Sequence, residues 1–294
     1  MDRQRLSAIV SFVVALGILI AGVLGPLVTG VIRFRLPDAA VNQYVGGEIV
    51  TMFIAAPALI AAGVLWLREH RLAPVIAIGP AAYTVYTFIT AIVGQEYGRY
   101  DGNVENAFFL YAGLVLGGWL LVVLAGLDLL RANVPTMPDW LRNVTAGVFL
   151  VIAAFFALAW VGQIAQVYGG ERSDAYLESP TLFWLIKLMD LGFLLPLFAT
   201  TGVAMLRGQR LATTLAYGMV SYAVCMAAAV LGMAIAMVLR DDPAASVAMI
   251  AFLAPVALLL AILAWRLLAI YAHGGKGDMV HREPPVPIGR GHVG

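Results

Sequence analysis

The stretches Pro57-ALIAAGVLWLREHRLAPVIAI-Gly79 and Pro196-LFATTGVAMLRGQRLATTLAY-Gly218 carry the strongest architectural signal in this sequence. They align without a gap at an offset of 139 residues, the separation of Pro57 and Pro196, with ten identities in 23 positions. Chance matching in so apolar a composition would give roughly two or three identities. We therefore interpret the two stretches as the products of a tandem duplication.

The composition is typical of a membrane protein. Hydrophobic residues make up 62% of the chain and charged residues 12%, with a mean hydropathy of +0.91. Soluble domains carry about 25% charged residues, so a chain this apolar could not cover its surface in water. The lipid bilayer is therefore the predicted partner. The net charge of +1 predicts that nucleic acid is not a partner.

Eight apolar stretches are long enough to cross a bilayer as helices, which need about 20 residues each. Strands are disfavoured because open strand edges would leave backbone groups unsatisfied in lipid. The predicted fold class is all-α, with eight transmembrane helices in two four-helix repeats, residues 1–135 and 136–272. Residues 273–294 are rich in glycine and proline, which predicts a disordered cytoplasmic tail. The predicted spans are 7–32, 45–67, 72–94, 107–130, 143–168, 180–206, 211–239 and 244–271.

Basic residues set the predicted orientation in the cell (inner) membrane. One set of helix ends carries twelve arginines and lysines and the other carries five, while Lys187 lies within a span. Because basic residues are enriched on the cytoplasmic side, both termini are predicted to be cytoplasmic. The opposite, extracytoplasmic ends are acidic. The five basic residues predicted there are Arg33, Arg35, Arg99, Arg172 and Arg240.

The two repeats are expected to insert with the same polarity, since four spans per copy is an even number. A pseudo-two-fold axis along the membrane normal would then relate them, as in transporters with parallel repeats. In this register Glu48 corresponds to Lys187, and Pro57 corresponds to Pro196. The two prolines are predicted to bend spans 2 and 6 at equivalent points.

Three charged residues within spans are the main candidates for a ligand-binding site. Lys187 and Asp190 lie three residues apart in WLIKLMDLGFLLP, on one helix face. Charges at that depth normally face a partner or a wet cavity. Glu48 is predicted to contact Lys187 across the repeat interface. The alternatives are an internal ion pair that fixes helix packing, and a Glu48 side chain that extends outward to water.

Further polar side chains are predicted to lie in the same, extracytoplasmic half of the membrane. Their convergence with the three charges favours a pocket that opens outward. Taken singly, each of them could instead hydrogen-bond a neighbouring helix. These additional candidate ligand-binding residues are Tyr86, Gln95, Glu96, Gln163 and Gln166.

No cofactor and no metal site are predicted, and the sequence identifies no catalytic residue. The four histidines lie in predicted loops or in the tail, so a haem held by paired histidines is not expected. Met219, Met226 and Met233 recur every seven residues near Cys225, the single cysteine. Thioether and thiolate groups suit Cu(I), but methionine at helical spacing is more typical of packing. The HExxH, GxSxG, P-loop and CxxC patterns are absent.

The leading functional hypothesis is a transporter or sensor that binds a small polar or amphipathic molecule from the extracytoplasmic side. It rests on the parallel repeat and on the polar residues of the outward half. The alternatives are a quinone-binding membrane subunit of a redox complex, by analogy of architecture, and a structural membrane subunit without a ligand. The sequence identifies neither the small-molecule ligand nor any protein partner.

Overall fold

The computed structural model of the chain describes residues 2–132 and 134–273, and these form helices and loops without a strand. Eight of the helical segments are long and apolar enough to cross a membrane, as predicted. Nearly all of the predicted tail lies outside the described residues. The α-helices are α1 Arg3–Leu24, α2 Asp38–Val50, α3 Ala56–Leu67, α4 Ala73–Val93, α5 Phe108–Arg131, α6 Asp139–Tyr168, α7 Asp174–Glu178, α8 Pro180–Met189, α9 Leu195–Leu206, α10 Arg210–Leu239 and α11 Val247–His273.

Two span boundaries differ from the prediction for reasons visible in the local sequence. Span 1 ends at Leu24, not at residue 32, because Gly25 precedes Pro26 and adopts an extended conformation. The chain then folds back, and the Ile32 amide donates to the Leu24 carbonyl. Span 2 begins at Asp38, directly after Pro37, which is extended and ends the preceding loop.

Spans 2 and 6 are each interrupted by a π-helical turn. Thr51–Ala55 joins α2 to α3, and Asp190–Leu194 joins α8 to α9. Each turn lies just before a proline, Pro57 or Pro196, which has no amide to donate to the carbonyl four residues earlier. A wider turn relieves the clash between the ring and that carbonyl. The two prolines thus mark distortions at positions 139 residues apart.

The helices pack in two groups that meet through α10. Helices α1, α3, α4 and α5 pack together, α6 packs on α9, and α11 packs on α10. Between the groups, α10 lies against both α2 and α4. Within the most apolar 18-residue stretch of each span, 61% of the residues are buried in α4, but only 22% in α6 and 11% in α11. Helix α4 is therefore central, while α6 and α11 are peripheral.

Glycines allow the closest approaches between the two groups. A Cβ atom on Gly46 of α2 would lie 2.4 Å from the backbone of Gly232 in α10. Nearer the start of α10, α4 also approaches closely. A Cβ on Gly79 of α4 would meet Ser221 of α10 at 2.3 Å, and a Cβ on Gly218 of α10 would meet Ile78 of α4 at 2.9 Å. Only residues without a side chain permit these helix crossings.

Long connections cover one end of the bundle, which we call the loop end; the opposite end, where α1 begins and α11 ends, is the termini end. At the loop end the Arg35 guanidinium forms an ion pair with Glu105 and donates to the Tyr100 carbonyl. The hydrogen bond to Glu105 raises the pKa of Arg35, so this link stays ionised at physiological pH. Asn103 ties the same two segments together through the backbone of Arg33 and Val31. These contacts hold the connection before α2 against the one before α5.

Candidate functional site

A buried carboxylate lies where the two helix groups meet. Asp190 is only 7% exposed. Its Oδ1 accepts a hydrogen bond of 3.0 Å from the Tyr86 hydroxyl of α4, and its Oδ2 accepts one of 2.8 Å from the Trp160 indole of α6. Three spans thus contribute to one hydrogen-bonded unit. Such partners are what a charged group needs to be stable away from water.

Lys187 lies one helical turn before Asp190 and is 6% exposed. Its Nζ atom is 3.7 Å from the centre of the Phe183 ring and 4.4 Å from that of Trp160. Aromatic faces attract an ammonium group, typically by about 2 kcal/mol when it is desolvated. They do not accept its hydrogen bonds as oxygen atoms do.

The Lys187 ammonium has no hydrogen-bond acceptor or ion-pair partner among the described residues. The three ion pairs in this part of the chain involve Arg3, Arg35 and Arg142. Asp190 acts on Lys187 electrostatically but lies beyond ion-pair distance. An ammonium group has three donors, and here none of them is used by a protein oxygen.

A second unused donor lies near the same carboxylate. The hydroxyl group of Tyr222, on α10, is buried and makes no hydrogen bond within the described structure. It lies within electrostatic range of Asp190. Leaving such a group unsatisfied costs about 1–3 kcal/mol. Lys187 and Tyr222 thus both have unused hydrogen-bond donors near Asp190, whose carboxylate oxygens are already bonded.

Glu48 does not take part in this cluster, so the predicted direct contact between Glu48 and Lys187 was wrong. One Glu48 carboxylate oxygen accepts a 2.9 Å hydrogen bond from the Leu27 amide. Gly25 leaves room for it, since a Cβ there would lie 2.1 Å from the other oxygen. The turn after α1 thus provides the donor that binds Glu48.

Gln95 and Glu96 join structural elements at the loop end. The Gln95 side chain accepts from the Arg35 amide at 2.7 Å and donates to the Ala91 carbonyl at 2.8 Å. The Glu96 carboxylate accepts from both the amide and the hydroxyl of Thr181, at 2.7 and 3.0 Å. Glu96 therefore binds free groups at the start of α8, where a negative charge is favourable. Both residues are buried and have their hydrogen bonds within the protein.

The remaining predicted residues divide in two. Tyr86 belongs to the cluster through its bond to Asp190. Gln163 is half-buried and Gln166 exposed on α6, and neither side chain has a hydrogen bond among the described residues. The structure thus brings Tyr86, Lys187 and Asp190 together and places the other candidates elsewhere.

Sequence reasoning omitted three side chains of this cluster. Phe183 precedes Lys187 by four residues, the spacing that puts two residues on one helix face, so it could have been found. Trp160 and Tyr222 come from other spans. No spacing along the chain relates those two residues to Asp190.

Comparisons with known protein families, with curated proteins and with solved structures gave no match for this chain.

Proposed function

We propose that this protein binds a small amphipathic molecule whose negatively charged or carbonyl oxygen accepts hydrogen bonds from Lys187, and that it acts as a transporter or sensor. One observation carries the proposal: the ammonium group of a largely buried side chain has no acceptor among the described residues and lies beside two aromatic rings. An unpaired charge in a low-dielectric environment is costly. An acceptor from a bound molecule would remove much of that cost.

The surroundings of Lys187 favour a ligand with an apolar body. Phe183 and Trp160 present ring faces, and the neighbouring Trp184 is partly exposed on the outside of α8. Helix α6, which supplies Trp160, is peripheral and largely exposed. A molecule with one polar end could therefore reach the ammonium from the lipid side. A quinone, with carbonyl acceptors on an apolar ring, belongs to the same class.

Native mass spectrometry of gently purified protein tests this proposal. We expect a retained small molecule on the wild type, with occupancy reduced roughly tenfold or more in Lys187→Met, because a charge-assisted hydrogen bond is lost. Lys187→Arg should keep part of the binding. Glu48→Gln is the matched control, since it replaces the acidic side chain at the equivalent position and leaves the ammonium unchanged. Equal retention by the wild type and Lys187→Met would contradict the proposal.

We also infer that the two helix groups arose by duplication and are related by a two-fold axis along the membrane normal. Several features recur at the offset of 139 residues seen in the sequence. The π turns at Thr51–Ala55 and Asp190–Leu194 do so, and so do Glu69 and Gly208, both with a positive φ angle. The close approaches at Gly79 and Gly218 are reciprocal between α4 and α10. This arrangement supports transport as the first activity to assay, because parallel-repeat transporters bind substrates at the repeat interface.

The two sides of this pseudo-symmetric interface differ in a way that would make room for a ligand. On one side Gly46 of α2 touches Gly232 of α10. The equivalent position to Gly46 is Leu185 of α8, which lies against Gly94 at the end of α4. A leucine cannot permit the approach that a glycine does, and α8 packs less extensively on α4 than α2 does on α10. The Lys187 cluster lies on this looser side.

We further propose that the loop end is extracytoplasmic and that both termini are cytoplasmic. Ser173→Cys is then expected to react with a membrane-impermeant maleimide in intact cells, and Gln209→Cys only after permeabilisation, since both positions are exposed at opposite ends. The native Cys225 is buried and should contribute little background. The reverse pattern of labelling would overturn the orientation.

A further inference from the structure

At the termini end, three donors converge that the Lys187 cluster does not use. The Arg71 guanidinium, in the turn before α4, lies over the Tyr271 ring of α11, 4.6 Å from its centre. Tyr271 also contacts Tyr217 of α10 edge to face, with ring centres 5.2 Å apart. The charge of Arg71 acts on both tyrosines. One cation and two phenols from three separate elements therefore share this position.

Both phenol groups are unsatisfied. Tyr271 is 0% exposed and Tyr217 is 2% exposed. Neither hydroxyl makes a hydrogen bond of good geometry in the described part of the chain, and the only group that approaches the Tyr271 hydroxyl there is the Arg71 guanidinium. Two buried phenols without partners would each cost about 1–3 kcal/mol. A phenylalanine would fill the same apolar space without that cost, so the hydroxyls point to a bound partner.

The local charge favours an anionic partner. Arg71 forms no ion pair among the residues described. The acid that acts on Tyr271 electrostatically is Asp128. Its two oxygens are already bonded, to Arg3 at 2.6 Å and to the Trp66 indole at 3.1 Å. Because Asp128 already pairs with Arg3, it does not provide Arg71 with an ion-pair partner.

We propose that Arg71, Tyr217 and Tyr271 form a binding site for a phosphate group at the termini end. A planar guanidinium binds phosphate oxygens well, and each phenol can donate one further hydrogen bond. The position at the end of α11 is where the headgroup of an anionic lipid would lie. A free phosphate-bearing solute offers the same chemistry. The site is separate from the Lys187 cluster and does not depend on the proposed function.

Native mass spectrometry of the detergent-purified protein tests this site with three separate additives. These are phosphatidylglycerol, phosphatidylcholine and inorganic phosphate. We expect the wild type to retain one phosphate-bearing molecule by native mass spectrometry. Arg71→Gln should weaken that binding about tenfold, since it removes a charged hydrogen-bond donor. Arg68→Gln removes the same charge from the exposed end of the same turn. It should weaken binding less than about twofold, because water and salt screen an exposed charge. Binding of phosphatidylglycerol alone would identify a lipid headgroup, and equal binding of inorganic phosphate would identify a solute.

The double variant Tyr217→Phe with Tyr271→Phe distinguishes a phosphate-binding site from two buried hydroxyls that simply lack a hydrogen-bond partner. The proposal predicts weaker phosphate binding and a smaller rise in thermal stability on adding the ligand. Unchanged binding, with a higher melting temperature in every condition, would overturn it. Equal losses in Arg71→Gln and Arg68→Gln, or no binding by the wild type, would overturn it as well.

Discussion

Gly46→Ala is expected to destabilise the protein by about 3 kcal/mol, the upper part of the range for overpacked interiors. The added methyl would lie 2.4 Å from the carbonyl carbon and oxygen of Gly232, and at the same distance from the amide nitrogen of Met233. These are backbone atoms, so no side-chain rotation can relieve the clash. Helices α2 and α10 would have to separate, and with them the two helix groups. Thermal unfolding in detergent measures the effect.

Gly113→Ala is the matched control for this substitution. Gly113 lies in α5, and a Cβ atom there would meet nothing within 4 Å. Alanine should therefore leave stability unchanged or raise it by about 1 kcal/mol through helix propensity. If Gly46→Ala and Gly113→Ala proved equally stable, the close contact between α2 and α10 would be contradicted.

Asp190→Ala is expected to cost about 2–6 kcal/mol, because two buried donors each lose their acceptor at about 1–3 kcal/mol apiece. The Tyr86 hydroxyl and the Trp160 indole would both lose their acceptor, and Lys187 would keep its charge without the nearby carboxylate. Asp190→Asn should cost less, because an amide oxygen still accepts one of the two bonds. Chemical or thermal denaturation of the purified variants measures both effects.

Two comparisons make the Asp190 prediction specific. Adding Lys187→Met to Asp190→Ala should restore part of the stability, since the uncompensated ammonium is then removed. Among the described residues, Asp139 has an ion pair with Arg142 on its own helix and no other, and its side chain is 82% exposed. Asp139→Ala should therefore change stability by less than about 1 kcal/mol. An Asp190→Ala variant as stable as Asp139→Ala would show that the cluster contributes nothing to the fold.

Much of this fold could be predicted because hydropathy and proline act locally. Each span needs an apolar run of about 20 residues, and the described residues contain eight such helices. Pro57 and Pro196 predicted distortions in spans 2 and 6, where the π turns occur. The end of span 1 was misjudged, because hydropathy stays high through Gly25-Pro26 although the backbone turns there.

The candidate site was harder to predict because its contacts join distant parts of the chain. Lys187 and Asp190 were identified from their charge and depth, but the hydrogen bond from Tyr86 depends on how α4 packs. Glu48 was misassigned for a similar reason, since its partner is the amide of an irregular turn. Polarity alone does not distinguish a residue that joins two loops, such as Glu96, from one that is available to a ligand.

Electron cryo-microscopy of the protein in native-lipid nanodiscs tests the central proposal most directly, through the surroundings of the Lys187 ammonium. We predict non-protein density within hydrogen-bond distance of Nζ, about 2.7–3.2 Å, beside the rings of Phe183 and Trp160. Lys187 turned onto Asp190 or another protein oxygen, with no such density, would contradict it.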